Sequence, residues 1–451
     1  MEELIHYAWK HKMFPLSALK THQGQALEVI DVGLHNRHAG PDFFNAKVKI
    51  DGILWVGNVE LHVKSSDWYA HGHDKDAHYD NVILHVCEMK DAELYDHQGC
   101  LIPQFVLPIP PLLRQSYDTL RHTAEYPPCY RVIPQLSSLM IHGWMNALQV
   151  ERLAQKERAI LQRLAQNNGS WEAAYFATLA RNFGFGVNSD TFETWALHLP
   201  LQQIAHHRDN LFQLEALFLG QAGLLCEEAI PNRYRQQTLD EGYFLRLKKE
   251  YLYLQHKFNL VPIDYHLWRF LRLRPQNFPH IRLAQLANLY YQRRTELSQL
   301  TDCLTVESVG NLLQTDVTTY WKTHYTFGVL SKECEKKLSP HSLLLLVINT
   351  AIPVLFAYGR YLGREEYVAR CFSFFEQLKA EDNHIVRLWR ACGLAIEHAG
   401  DAQALIQLKN EYCDKRECLR CRIGYEYLKR TTLTEHVTTN AVQTASHTII
   451  K

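Results

Sequence analysis

Hydrophobic and polar positions along the chain fall into two textures. In residues 1–125 they mostly alternate, the period of half-buried strands. Residues 2–12 instead carry Leu4, Ile5, Ala8 and Trp9 at helical spacing and predict a short amphipathic helix. Strands are expected over 26–32, 42–50, 53–64, 81–87 and 104–109. Asp51-Gly52 is a two-residue hairpin signal between the second and third of these. On the 42–50 strand, Phe44, Ala46, Val48 and Ile50 are expected on one face. From residue 126 the period changes to that of helices, beginning with a long one over 139–166, with Gly and Pro as punctuation. The pattern predicts an α/β domain over 1–125, an all-α domain over 126–430 and a loose Thr-rich tail over 431–451.

The alternation places chemistry on one strand face. Glu60, His62 and Lys64 are two apart and share a side, with Lys64 about 6.7 Å beyond His62. Asp42 follows Gly40-Pro41 at the start of the neighbouring strand. Two carboxylates beside basic groups suit a hard divalent cation, Mg²⁺ or Mn²⁺, and hydrolysis. The segment after the strand holds Ser65, Ser66, Asp67 and Trp68, then His71, His73, Asp74, His78, Tyr79 and Asp80. Helix capping by Ser65 or Ser66 and local hydrogen bonding is the favoured reading; zinc binding is the alternative.

Composition narrows the classes. Lys+Arg and Asp+Glu both total 48, so bulk charge does not point to nucleic acid, and any such site must be a local patch. The Arg-and-ring segment from Trp268 to Arg282 is one candidate, read here as packed structure. The apolar patches around 343–348 and 352–357 are short and separated, so no membrane span is expected. Met1-Glu2-Glu3-Leu4 does not read as a signal peptide, which predicts a cytoplasmic protein with reduced thiols. Three of the eleven cysteines cluster as Cys413-x4-Cys418-x2-Cys421, soft ligands for Zn²⁺ or an iron–sulfur cluster. Cys392 is the nearest fourth ligand in sequence; Cys129, Cys371 or a histidine are alternatives.

The Pro-Asp and Glu-x-His motifs, with the order helix, strand, hairpin, connector, strand, resemble the PD-(D/E)XK nuclease superfamily. The resemblance implies a restriction-endonuclease-like αβββαβ fold, a nucleic-acid substrate and Asp42 and Glu60 as metal ligands. It makes Glu3 on the first helix the candidate third acid, with Glu28 the alternative. His62 stands where that superfamily has lysine, so the catalytic base is His62 or Lys64. The departure keeps open a non-catalytic nucleic-acid-binding or scaffold protein on the same fold. A metallohydrolase of small molecules using the histidines is a third class. Over nearly its full length the chain also resembles the uncharacterised bacterial domain of unknown function 2851 family. That resemblance rests on Ala39-Gly-Pro-Asp-Phe-Phe-Asn-Ala46, Gly57-Asn-Val-Glu-Leu-His62, Ser65-Ser-Asp-Trp68, Tyr79-Asp-Asn-Val-Ile-Leu-His85, Arg274-Pro-Gln-Asn-Phe-Pro279, and the Glu411–Cys413 and Cys421–Gly424 stretches.

Overall fold

The computed structural model describes residues 2–36 and 38–430, so the tail expected at 431–451 lies outside the described residues. An N-terminal region built on a mixed sheet is followed by a largely helical part. Helix α1 (Glu2–Lys10) buries Leu4, Ile5, Ala8 and Trp9, the stripe its spacing predicts, together with Tyr7. The strands are β1 (Leu19–Lys20), β2 (Ala26–Asp31), β3 (Leu34–His35), β4 (Phe43–Ile50), β5 (Ile53–Lys64), β6 (Val82–Met89) and β7 (Gln104–Val106). The described residues form a seven-stranded sheet ordered β1-β2-β4-β5-β6-β7, with β3 also paired to β4. Pairing is antiparallel as far as β5, while β6 and β7 run parallel to their neighbours.

The β4–β5 hairpin turns at Asp51-Gly52, both at positive φ, the two-residue turn that the right-handed twist of paired strands favours. Its register shifts by one residue between Phe43 and Ala46, where Asn45 has a φ of 56°. This bulge changes which residues of β4 face inward. Phe43, Ala46, Val48 and Ile50 are buried, and Phe44 is not fully buried, contrary to the plain alternation expected of the strand.

Because β6 is parallel to β5, the chain must cross over between them. Residues 65–81 do so with one short helix, α2 (Asp67–Ala70), and two tight turns at His73–Lys75 and Ala77–Tyr79. Trp68, fully buried, anchors the crossover and donates its indole N–H to Tyr95 O at 3.1 Å. Ser65 and Ser66 do not cap α2. Both hydroxyls donate to the Asp91 carboxylate, at 3.0 and 2.8 Å, and the Ser66 N–H joins them at 2.8 Å. Gly57 allows the crossover to return closely, since a Cβ there would lie 2.4 Å from Ile83 Cγ2. Helix α3 (Pro111–His122), with proline in its first turn, follows β7.

Two compact units can be distinguished. The first holds residues up to 144, then 388–394 and from 408; the second holds 145–387 and 395–407. This grouping differs from a single boundary near residue 125, because the segment carrying Cys413, Cys418 and Cys421 belongs with the sheet. The second unit is helical around large buried rings, among them Phe176, Trp195, Phe218 and Trp321. Its Arg-and-ring segment is built into that unit. Trp268 is buried and donates to Ala222 O at 2.8 Å, and Arg282 is buried over the Phe185 ring. The two apolar patches expected to be separate form one continuous helical stretch, Pro340–Leu362, through a π turn at Val347–Ala351. It is the one described helix long and apolar enough to cross a membrane, and 67% of its most apolar window is buried within the protein.

Candidate functional site

From Val59 to His62, β5 is buried on both faces. Val59 and Leu61 point to one side and are apolar. Glu60 and His62 point to the other, only 5% and 2% exposed. Buried polar groups of this kind are the informative exception in a core. Around them the chain assembles a carboxylate pair and a histidine cluster.

The carboxylates are locked reciprocally across the hairpin. Glu60 Oε2 accepts the Asp42 N–H at 3.0 Å, and Asp42 Oδ2 accepts the Leu61 N–H at 2.9 Å. Each acid thus commits one oxygen to the backbone. Burial, and next the charge of Glu60, push the Asp42 pKa up to about 6, with the nearby His6 opposing. His6 Nε2 lies 3.4 Å from Asp42 Oδ2. Glu2, one turn earlier on α1, also acts on Asp42 through its charge.

The histidines come from the crossover. His71 and His73 flank Gly72, whose φ of 75° is a left-handed conformation that glycine adopts without strain. His62 Nε2 is 3.1 Å from His71 Nδ1, and His73 Nε2 is 3.3 Å from Glu60 Oε1. Glu60 Oε1 is also 3.7 Å from His62 Nε2. His62, His71 and His73 each offer a ligand nitrogen, and the three lie within 4.8 Å of one another. Ligand atoms around one ion with bonds near 2.1 Å sit about 3.0–3.4 Å apart, so the three imidazoles form a candidate cation site, with the free Glu60 oxygen beside His62 and His73. His62 is held neutral: burial, then His71 and His73, lower its pKa to about 3. A neutral imidazole is the form that binds metal.

An outer layer fixes these rings. His62 Nδ1 is 2.8 Å from His85 Nε2, on the β6 residue paired with Glu60. If His62 Nε2 faces a cation, its Nδ1–H must donate to His85, which sets both tautomers. Tyr79 stacks on His73 at 3.9 Å between centroids, and Trp68 meets both His73 and His85 edge-on. Burial and the charges of Glu60 and Asp42 raise the Tyr79 hydroxyl to about 12.

Asp42, Glu60 and His62 therefore come together, and His71 and His73 join them. Lys64 is exposed at the end of β5, and among the described residues no ion pair ties its ammonium to the carboxylates. Glu3 lies elsewhere, accepting a hydrogen bond from the Tyr117 hydroxyl at 3.4 Å. Glu28 pairs with Lys49 at 3.3 Å on β2 and β4. His78 is paired with Asp76 at 2.7 Å on the outside of the turn. Two contributors, His6 and His85, are ones the sequence reading missed. A signal for His6 was available: it sits four residues after Glu2 on a helix, hence on the same face. His85 depends on the register of a parallel pair, which no local pattern encodes.

No curated protein and no solved structure matches the chain. The family model described as a protein of unknown function, DUF2851, matches residues 2–384, which is most of the sequence. With its sheet-borne acid–histidine cluster and its helical second unit, the chain belongs to the DUF2851 family.

Proposed function

We propose that the sheet-based unit is a metal-dependent phosphodiesterase of the PD-(D/E)XK nuclease type, with nucleic acid as substrate. The observation that carries this reading is the reciprocal locking of Asp42 and Glu60 beside His62 on one buried strand face. The antiparallel run β2-β4-β5, followed by a crossover to parallel β6, also agrees with a restriction-endonuclease-like order of elements.

Glu60, His62, His71 and His73 would hold a divalent cation, with Asp42 beside them. When bound, it would supply Lewis-acid stabilisation of charge on the scissile phosphate. Imidazoles shift the preference of such a set away from Mg²⁺ and towards Mn²⁺ or another transition ion. Asp42, largely ionised at neutral pH, adds negative charge to the centre. His62 is neutral and fixed by His85, so its role is ligation rather than proton transfer from solvent. His6 is the basic group nearest Asp42, and it takes the position on α1 for which an acid was expected. Lys64, exposed beyond His62, is left to meet substrate phosphate.

The test is cleavage of single- and double-stranded DNA and RNA by the purified chain, with Mn²⁺, Mg²⁺ or chelator present. Manganese-dependent cutting, lost in Asp42→Ala and Glu60→Ala, is expected. Cutting that survives unchanged in both variants would sink the proposal. The imidazole trio favours a second reading, a hydrolase of small molecules with zinc at the same centre. Stoichiometric zinc, lost in His71→Ala and His73→Ala, together with no nucleic-acid binding would select it. Salt-sensitive nucleic-acid binding without cleavage would select the non-catalytic alternative.

A further inference from the structure

The cysteine triplet gains its fourth partner from a segment almost three hundred residues away. Arg416 donates to the carbonyls of Leu120, in the last turn of α3, and Thr123, just past its end, at 3.3 and 3.1 Å. The Tyr126 hydroxyl donates to Asp414 at 2.9 Å, and Lys409 lies 5.5 Å from the Tyr126 ring. Arg430 donates to Gln135 O at 2.9 Å. Residues 120–135 are thus bound along 409–430, all within the sheet-bearing unit. Cys129 sits in the middle of the first segment, buried, at the start of a 3₁₀ turn over Tyr130–Gln135. Cys413 and Cys421 are also buried, and Cys418 is half-buried.

The three later cysteines are neighbours of Cys129: Cys421, Cys413 and Cys418, next after burial itself, all push its thiol pKa up. The loop between them is tightly folded. Arg416, at a φ of 56°, reverses the chain between Cys413 and Cys418. The Cys421 N–H donates to Cys418 O at 3.2 Å, and a Cβ on Gly424 would come 2.2 Å from that same oxygen. Cys392, half-buried just after the helix over His384–Ala391, is not among the cysteines that act on Cys129. Cys371 is used elsewhere too, its thiol donating to Tyr367 O at 3.1 Å and Ile352 O at 3.3 Å.

We infer that Cys129, Cys413, Cys418 and Cys421 ligate one iron–sulfur cluster that clasps residues 120–135 to 409–430. The ligand spacing selects this over zinc: Cys-x4-Cys-x2-Cys with a distant fourth cysteine is an iron–sulfur ligand spacing, whereas structural zinc usually takes close pairs from each segment. The role assigned is structural, and it does not depend on the activity of the histidine centre.

The test is analysis of the full chain isolated without oxygen, or reconstituted with ferrous iron and sulfide. Expected are about two or four irons per chain, matched by equal acid-labile sulfide and a broad visible absorption. The iron count distinguishes the two cluster types. Iron and sulfide should be lost in Cys129→Ser and Cys421→Ser and kept in Cys392→Ser. One zinc per chain without sulfide, no bound metal, or a Cys129→Ser chain that keeps its full iron and sulfide would each overturn the inference. The wild-type stoichiometry decides the matter even where a variant does not fold.

Discussion

Two buried polar clusters, one in each unit, differ in a way that separates structure from chemistry. In the helical unit the Lys156 ammonium is enclosed and donates to Ile348 O, Asn349 Oδ1 and Gln403 Oε1, at 3.3, 2.9 and 3.0 Å. Its three N–H bonds are matched by three acceptors, and Gln403 in turn donates to Glu381 at 2.7 Å. In the sheet unit, Asp42 and Glu60 each satisfy one oxygen on a backbone N–H and turn towards imidazoles. His85 Nδ1, buried, has no hydrogen-bond partner among the described residues. A saturated cluster holds a fold together; an incomplete one has capacity left for a ligand.

The comparison can be broken at several points. The largest effect is expected at the saturated cluster. Lys156→Ala removes the donor that Ile348 O, Asn349 and Gln403 share and should cost about 3–4 kcal/mol of unfolding free energy, read by denaturant titration. Manganese affinity should be unchanged by it. Glu60→Gln should do the reverse. Metal affinity measured by calorimetry should fall by about 100-fold or more, exceeding the loss typical of an outer-shell partner, while the denaturation midpoint moves little. If Glu60→Gln instead unfolds the unit, the carboxylate pair is structural and the contrast fails.

Smaller effects probe the outer layer. His85→Phe keeps a ring against Trp68 but removes the acceptor that orients His62. A loss of about 10-fold in metal affinity is expected, without loss of fold. The smallest is a pH step. With the Asp42 pKa raised to about 6, the folded chain keeps a proton that the unfolded chain releases near 3.8. Its contribution to stability is therefore full below about 4 and is lost as pH rises through about 6. Cation affinity runs the other way, climbing through about 6 as the carboxylate ionises. His62, lowered from 6.5 to about 3, stays neutral in the folded chain and adds no step to cation affinity, but in stability it opposes Asp42, because below about 6.5 the unfolded imidazole takes a proton that the folded one does not. Metal affinities at pH 5, 6 and 7 should show the rise in the wild type and a flatter profile in Asp42→Asn.

Much of the site was legible because it is local. A period of two puts Glu60 and His62 on one face, and Asp51-Gly52 folds Asp42 back towards them. His71 and His73 were visible as histidines, but their convergence depends on Gly72 and on a crossover that must return to β6. On α1 the side chains choose different partners, Glu3 meeting the Tyr117 hydroxyl while His6 reaches Asp42, a choice that depends on what packs against the helix and not on spacing along it. Cys129 was one alternative among several because proximity across almost three hundred residues leaves no trace in spacing. The helical unit was readable as a run of helices, with breaks where a residue reverses the chain, as at Arg293, φ 60°, between the helices Pro279–Tyr291 and Leu297–Asp302.

The bulge at Asn45 has a consequence of parity. From the turn to Ala46, β4 and β5 pair in a register that, continued without interruption, would set Asp42 opposite Leu61, with its carboxylate on the apolar side. The extra residue changes odd to even, so Phe43 pairs with Val59 and Asp42 comes level with Glu60. Removing Asn45 would smooth the hairpin and rotate the aspartate into the core, leaving a sheet with every ligand present and no site.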